Sequence, residues 1–368
     1  MRILVSIHHP AQAHFFRYVV PELEARGHEV RVRVRDKEVA SELLEAFDID
    51  HRVLARKGDG LAALAASQLR YEALLLREAR RFQPDVMAST GGVEIGHVAP
   101  LAGTRSVAFN DTEGSPSHYV SLPLVDLICT PRAHDRDFGE RHVRYDGYQE
   151  LAYLHPDRFQ PSADRLREAG VDPEEPYYVL RFVAWQAHHD VGKQGLSLAA
   201  KRELIEKLSA RGQVYITSEA ELPPEFEGYR NPVPPELAHD LLAFAQLYVG
   251  DSQTMTTEAA LLGTPAVRSN SFVGEGDLSN FRELEERYEL LYNRADDREA
   301  LALVEELLAD PTTEQTWERR RQRLLAEKID VTAFAVDTIE REGRKAPTDL
   351  PTGAAGRLRR RLSRALAG

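Results

Sequence analysis

The sequence predicts an α/β protein built from two doubly wound Rossmann-type domains that follow one another along the chain. Three observations support this fold class: short β-branched runs alternate with helical patterns, the alternation occurs twice, and a proline-rich stretch separates the two series. Alternating strands and helices build a parallel sheet that is covered on both faces. The 368 residues are long for one domain and comfortable for two.

The first series begins with a strand over Arg2–Ile7 and a helix over His14–Arg26, which Gly27 closes. Further strands are predicted over Glu29–Val34, Asp85–Ala88, Ser106–Phe109 and Leu124–Thr130, and further helices over Glu38–Phe47, Leu61–Phe82 and from Val93. Cys129, the single cysteine, lies in an apolar run and is predicted to be a buried strand residue rather than a nucleophile. The N-terminal domain is therefore assigned to residues 1–155.

The pattern loosens over residues 156–176, where prolines stand at 156, 161, 173 and 176, and a linker is predicted there. It restarts with strands over Tyr177–Phe182, Gln213–Thr217, Gln246–Val249 and Pro265–Arg268, and with helices over Leu198–Arg211, Glu236–Phe244 and Thr256–Leu262. The C-terminal domain is assigned to residues 177–312. A return helix is assigned to residues 313–343, and fold analogy places it on the first domain.

Charge and hydropathy narrow the range of functions. The formal net charge of −12 argues against nucleic-acid binding, which relies on lysine and arginine to neutralise phosphates. The apolar runs are too short to span a membrane and the N-terminus is predicted as a strand rather than a signal peptide, so a cytoplasmic location is expected. The tail over residues 344–368 is predicted to be flexible and basic, with five arginines within Arg357–Arg364. It is either a short amphipathic helix peripheral to the inner face of a membrane or a solvated, disordered tail.

The segment Gly250–Val267 predicts a site for a diphosphate. A strand ends just before it, small polar residues follow, and a helix is expected to begin near Thr256. Ligands of open parallel sheets bind at the carboxyl ends of the strands, and free N–H groups at a helix start attract anions. Ser252 and Thr254 add hydroxyl donors without bulk. The Glu258 carboxylate either accepts hydrogen bonds from ribose hydroxyls or complements the helix dipole within a capping box.

This segment resembles the nucleotide-diphosphate motif of glycosyltransferase-B enzymes and of the non-hydrolysing UDP-N-acetylglucosamine 2-epimerases, in which a serine and small residues precede Glu-Ala and Leu-Gly-x-Pro. The resemblance implies a glycosyltransferase-B-like fold with two domains facing across a cleft. It implies that Ser252 contacts phosphate, that Glu258 binds ribose, and that Arg268 stands where the epimerases carry an arginine. The usual glycines are replaced at positions 253 and 254. The segment's expected nucleotide-sugar-binding residues are Ser252, Gln253, Thr254, Thr257, Glu258 and Arg268.

Two segments of the first domain carry further resemblances. His8–His14 resembles the Gly-rich loop ending in histidine of the lipid-linked muramyl-peptide glucosaminyltransferase family, with His14 in the final position. A histidine that titrates near neutrality suits a general base, so His14 is the first candidate. Ser106–Glu113 resembles an epimerase strand, in which Glu113 matches a catalytic glutamate and Asp111 stands in place of a histidine. Glu113 is the second candidate base.

The stretch Leu180–Lys193 follows the first strand of the second domain, where the epimerases place a His-Arg-x-Glu-Asn loop. Arg181 and Lys193 are predicted to neutralise a diphosphate leaving group, and a pairing of Arg181 with a surface carboxylate is the alternative. No His-x-x-x-His or Cys-x-x-Cys spacing indicates a metal. The resemblance to glycosyltransferase-B enzymes also implies that neither a metal nor another cofactor is needed.

Over about residues 1–340, the chain resembles the largely archaeal family known as domain of unknown function 354, including the phrases Gly147–Pro156 and Ser269–Glu275. The resemblances imply a nucleotide-sugar-dependent glycosyltransferase of glycan or glycolipid biosynthesis, with a UDP-sugar favoured as donor and a lipid-linked acceptor near the basic tail. A 2-epimerase-like isomerase, with Glu113 and Asp111 as acid and base, is the first alternative. A non-catalytic nucleotide-sugar-binding protein is the second.

Overall fold

In the computed structural model, the described residues are 1–36, 39–56, 60–114, 121–182, 195–218, 221–269 and 277–345. They divide into two compact units. Unit 1 comprises Met1–Arg158 and the described residues from Ile329 onward, and unit 2 comprises Phe159–Lys328. Within the described ranges, no helix is both long enough and apolar enough to cross a membrane.

Unit 1 is built on a parallel sheet. Its strands are β1 (Arg2–Ile7), β2 (Glu29–Asp36), β3 (His51–Arg56), β4 (Val86–Thr90), β5 (Arg105–Phe109), β6 (Leu127–Pro131) and β7 (His142–Tyr145). Their order is β3-β2-β1-β4-β5-β6-β7, so the order reverses at β1, which lies between β2 and β4. The sequence did not predict β3 and β7. Both lie at edges of the sheet and carry partly exposed, charged residues, so their apolar pattern is weak.

The helices of this part of the chain are α1 (Pro10–Ala25), α2 (Ala40–Ala46), α3 (Leu61–Phe82), α4 (Val93–Ala102) and α5 (Leu151–Leu154). The predicted start of the first helix at His14 is wrong, because α1 begins at Pro10. The His9 ring accepts the N–H of Ala11 at the N-cap, and a proline suits the first helical position. The prediction for Cys129 is confirmed, since this residue is fully buried in β6.

Unit 2 contains a second parallel sheet with strands β8 (Tyr177–Phe182), β9 (Gln213–Ser218), β10 (Leu247–Gly250), β11 (Ala266–Ser269) and β12 (Leu291–Arg294). Its helices are α6 (Ala163–Glu168), α7 (Leu198–Ser209), α8 (Ala238–Ala243), α9 (Gln253–Leu262), α10 (Ser279–Arg282), α11 (Asp297–Ala309) and α12 (Thr313–Glu327). The strand order β12-β11-β10-β8-β9 reverses between β8 and β10. The prediction of two doubly wound α/β units is therefore confirmed.

The predicted single return helix over residues 313–343 is wrong, because this stretch forms two helices in different units. After α12 ends, Asp330 is the N-cap of α13 (Val331–Gly343), and its carboxylate accepts two backbone N–H groups of the first turn. Such an N-cap starts a new helix at that point. α13 packs on unit 1, where the buried Glu342 carboxylate accepts a hydrogen bond of 2.7 Å from Arg105.

Candidate functional site

Each parallel sheet has one edge at which the carboxyl ends of its strands meet, and open α/β sheets bind ligands at that edge where the strand order reverses. In unit 2, the reversal lies between β8 and β10. These strands end at Arg181–Phe182 and at Gly250, and Gly250 pairs with Arg181 in the sheet. The predicted residues Arg181, Ser252 and Gln253 are therefore brought to one edge.

The turn from β10 into α9 is held tightly against β8. The N–H of Asp251 donates to the Arg181 carbonyl at 3.1 Å, and the Ser252 hydroxyl caps α9 by accepting the N–H of Met255 at 3.4 Å. A Cβ atom on Gly250 would lie 2.5 Å from the Arg181 carbonyl oxygen and 2.5 Å from the Tyr248 hydroxyl. Only glycine fits there, so the close approach of the two strand ends depends on it.

Helix α9 starts at Gln253, three residues before the start predicted from the sequence, because Ser252 is its N-cap. The Thr257 hydroxyl donates to the Gln253 carbonyl at 3.3 Å, and the Thr256 hydroxyl donates to the Ser252 carbonyl at 2.5 Å. These hydroxyls are thus engaged by the helix itself. The backbone N–H groups of Gln253 and Thr254 lie in the first turn, where no helix carbonyl can accept them, and N–H groups in such a position can bind an anion.

Glu258 lies on the buried side of α9, where its Oε1 atom is 3.0 Å from Nε2 of His239 in α8. Both side chains are buried, and the Phe159 ring packs edge-on against the imidazole with centroids 6.0 Å apart. The capping-box interpretation of Glu258 is wrong, because Ser252 caps the helix and the carboxylate faces His239. His239 was missed from the sequence, since the pairing depends on how α8 and α9 pack.

Arg268 ends β11 with its side chain fully buried. Its Nη1 atom lies 2.5 Å from the Asp277 carboxylate and 3.0 Å from the Asn293 side-chain oxygen, and its guanidinium stacks on the Phe281 ring at 3.9 Å. The charge of Arg268 is therefore balanced inside unit 2. Lys193, predicted to neutralise a diphosphate together with Arg181, lies outside the described residues.

A buried lysine near this edge also escaped the sequence-based prediction. Lys201 in α7 is 5% exposed, and its ammonium lies 4.7 Å from the centroid of the Phe182 ring. Burial lowers the pKa of Lys201, and the carboxylates of Asp251 and Asp297 oppose that shift. Lys201 thus adds positive charge beside the turn that precedes α9. A lysine in an amphipathic helix usually faces solvent, so no local signal identifies it.

In unit 1, the strand order reverses at β1 and β4, and this edge carries a histidine–carboxylate pair. His8 follows β1, Glu94 lies in the first turn of α4, and His8 Nδ1 is 3.5 Å from Glu94 Oε1. The Gln12 side chain accepts the His8 N–H at 2.7 Å and donates to the Thr90 carbonyl at 3.1 Å, which links the two strand ends. Gly92, at φ +75°, forms the turn into α4.

Glu94 is buried, whereas 23% of the His8 side chain is exposed. Burial opposes ionisation of Glu94, but the charge of His8 and its hydrogen bond outweigh burial and lower the pKa of Glu94 to about 2. A buried carboxylate behind an accessible imidazole can orient that ring toward a ligand. The sequence did not predict this pair, because its members are 86 positions apart.

The first candidate base from the sequence has a different environment. His14 lies within α1 rather than at the end of a loop and is only 8% exposed. Its ring packs between Phe47 and Tyr153, with centroids 5.4 Å and 5.3 Å away. These contacts are those of a core residue. The geometry therefore favours His8 over His14 as a group that reaches a ligand.

Asp111 and Glu113 follow β5 at the same edge of unit 1. Burial raises the pKa of Asp111, and the nearby Glu113 carboxylate contributes to this shift. Glu113 Oε1 accepts the backbone N–H of Asp135 at 2.7 Å. The two predicted carboxylates are thus close in space, and one of them is biased toward its protonated form.

Two doubly wound α/β units, each with polar groups at the edge where its strand order reverses, define a protein of the glycosyltransferase-B fold class. The chain belongs to the family described as "Protein of unknown function (DUF354)", whose model matches residues 1–316. No curated protein sequence matches it.

Solved structures share this fold over nearly the whole chain. The UDP-GlcNAc 2-epimerase from Neisseria meningitidis bound to UDP-GlcNAc is 11% identical, with a TM-score of 0.65 over 93% of this chain and 100% of that one. A putative UDP-N-acetylglucosamine 2-epimerase from Listeria monocytogenes is 14% identical, with a TM-score of 0.67 over 95% and 98%. A Streptomyces sp. SF2575 glycosyltransferase complexed with thymidine diphosphate is 15% identical, with a TM-score of 0.58 over 92% and 99%. These likenesses establish the fold.

Proposed function

We propose that this protein is a nucleotide-sugar-dependent glycosyltransferase that needs no metal and favours a UDP-sugar as donor. The observation that carries the proposal is the start of α9, which Ser252 caps and which the Asp251–Arg181 hydrogen bond of 3.1 Å holds beside β8. Structures of the same fold are described as bound to UDP-GlcNAc and to thymidine diphosphate, ligands of the chemistry that such a helix start attracts.

Unit 2 binds the donor in this proposal. The N–H groups of Gln253 and Thr254, the dipole of α9 and the Arg181 guanidinium neutralise the diphosphate, with Lys193 as a further cation. Glu258 binds the ribose hydroxyls through a carboxylate that His239 holds in place. Arg268 and Thr257 support this edge through their contacts within unit 2.

Unit 1 supplies the general base, for which His8 backed by Glu94 replaces His14 as the favoured group. His8 accepts the proton of an acceptor hydroxyl while the acceptor oxygen bonds to the anomeric carbon of the sugar. The bond from that carbon to the diphosphate breaks, and the nucleoside diphosphate leaves with the electron pair. Its developing charge is stabilised by the start of α9. In glycolipid synthesis the acceptor is lipid-linked, and the basic tail Arg357–Arg364 attracts such an acceptor in this proposal.

The donor site is tested by titrating the purified protein with UDP-, GDP- and dTDP-sugars and measuring heat of binding. We expect a UDP-sugar to bind and Glu258→Ala to weaken that binding at least about tenfold, the effect of losing paired hydrogen bonds to ribose. Absence of binding at millimolar concentration, or an unchanged affinity in Glu258→Ala, contradicts the site. For the base, His8→Asn is expected to abolish turnover, whereas folded His14→Asn keeps it.

A 2-epimerase is the second candidate, and the raised pKa of Asp111 beside Glu113 favours it. A carboxyl group with a raised pKa beside a second carboxyl group is an arrangement that acid–base isomerisation can use. Incubating a UDP-sugar with the protein in deuterated water separates the two reactions. Deuterium at C2 of the sugar without an acceptor indicates epimerisation, and its absence together with acceptor-dependent release of UDP indicates transfer.

A further inference from the structure

An open groove of about 560 Å³ lies at the outer edge of unit 1, between edge strand β3 and the first half of α3. Its floor is largely apolar and is formed by Val53, Leu54, Ala55, Ala63 and Ala66. Two arginines, Arg56 and Arg70, also line it. The groove lies away from the β1–β4 strand ends that carry His8 and Glu94, because β2 separates β1 from β3.

The two arginines that line the groove stand apart from the carboxylates that the structure describes. Among the described residues, neither guanidinium has an acidic partner, and both side chains are exposed. Neighbouring arginines behave differently: Arg33 and Arg52 both contact the Glu78 carboxylate, at 3.0 Å and 3.5 Å. Although the chain has a net charge of −12, these two exposed arginines form a basic rim beside an apolar surface.

The same face exposes large apolar side chains. Among the described residues, three such side chains are exposed, and two of them are here: Val53 (39%) and Leu69 (68%). Leu69 lies three residues after Ala66 and beside Arg70, so it extends the apolar strip along α3 beyond the groove. Exposed apolar area rimmed by polar groups marks a surface that contacts another molecule or a membrane.

We propose that the β3–α3 face docks the protein on an anionic lipid bilayer. Val53 and Leu69 enter the interface between headgroups and acyl chains, while Arg56 and Arg70 contact lipid phosphates from the rim. Charge complementarity supports an anionic bilayer as the binding partner of this face, because an acidic protein approaches an anionic surface only through a local basic patch. Val53 lines the open groove and Leu69 lies beside it on α3, and an open apolar surface of this kind suits an interface more than an enclosed ligand.

The test is co-sedimentation of the full chain with vesicles of phosphatidylcholine alone and of phosphatidylcholine mixed with phosphatidylglycerol in equal parts. We expect binding to the anionic vesicles only, weakened by added salt. The double variant Arg56→Glu/Arg70→Glu is expected to lower the binding constant at least about tenfold, since each arginine near an anionic surface contributes favourably. Leu69→Gln is expected to lower it about threefold through lost apolar contact, at no cost in folding because the side chain is exposed.

Matched control variants test whether vesicle binding depends on the β3–α3 face. Arg211→Glu/Arg298→Glu makes the same change in net charge on exposed positions of unit 2 and is expected to leave most binding intact. Replacing Arg359, Arg360 and Arg361 by glutamine tests the tail separately. Equal binding to both vesicle types, or full binding by Arg56→Glu/Arg70→Glu, overturns the proposal. A vesicle-independent dimer that Leu69→Gln dissociates overturns it too, and assigns the face to contact between copies.

Discussion

The Glu258 carboxylate and the His239 imidazole form a buried pair in unit 2, with Oε1 and Nε2 3.0 Å apart. The pair joins two helices, α8 and α9, and just after α9 the Thr264 hydroxyl donates to the Leu242 carbonyl of α8 at 2.6 Å. A buried carboxylate keeps one orientation only if its oxygens have donors. His239 therefore acts as a positioning residue for Glu258.

Removing the His239 imidazole from this pair is expected to impair binding of the nucleotide-sugar more than turnover. His239→Leu leaves a buried carboxylate without its imidazole and is expected to raise the KM for the nucleotide-sugar about tenfold, with kcat changed less than about threefold. His239→Gln, whose amide N–H can still donate, is expected to recover much of the loss. Steady-state kinetics check this, and equal falls in kcat for both variants would speak against a positioning role.

The absence of a side chain at residue 250 is expected to be essential for the turn before α9. Gly250→Ala places a Cβ atom 2.5 Å from the Arg181 carbonyl oxygen and should lower the free energy of unfolding by about 1–3 kcal/mol and weaken nucleotide binding. Gly228→Ala is the matched control, because a Cβ atom there has nothing within 4 Å. Urea denaturation and titration with UDP measure both effects. The prediction fails if the two variants behave alike.

The ion pair of His8 and Glu94 predicts a stability that depends on pH. The folded protein lowers the pKa of Glu94 from 4.5 to about 2, so the contribution is present above pH 4.5 and is lost as pH falls toward 2. The wild-type protein should lose unfolding free energy between pH 4.5 and pH 2, and Glu94→Gln should reduce that loss by on the order of 1–3 kcal/mol. Denaturation curves at several pH values test this, and parallel curves for both proteins would contradict it.

The contact of Arg105 with Glu342 is expected to anchor α13 on unit 1. Both side chains are almost fully buried, and Arg105 also lies 3.5 Å from the buried Asp126 carboxylate, so loss of Glu342 removes one of two carboxylate partners of Arg105. Glu342→Met alone should lower the free energy of unfolding by about 1–3 kcal/mol, and Arg105→Met/Glu342→Met should lower it by clearly less than the sum of the two single losses. Urea denaturation of the double-mutant cycle gives the coupling. Additive losses would show that the two side chains do not interact.

Much of the fold can be predicted from local patterns of apolar residues in the sequence. The strand Arg2–Ile7, the helix Leu61–Phe82 and the strand Tyr177–Phe182 were predicted with the observed bounds, because apolar periodicity is strong there. Helix starts were less accurate. α1 and α9 begin earlier than predicted, since His9 and Ser252 supply caps that apolar periodicity does not reveal.

The sequence by itself determined the two α/β units and the helix that follows Gly250, because apolar periodicity and turn residues are encoded in neighbouring positions. Tertiary structure decided which distant side chains meet. It paired Glu258 with His239, His8 with Glu94 and Arg268 with Asp277, and it buried His14 in the core. Such contacts depend on strand order and helix packing, which bring together residues that share no local pattern.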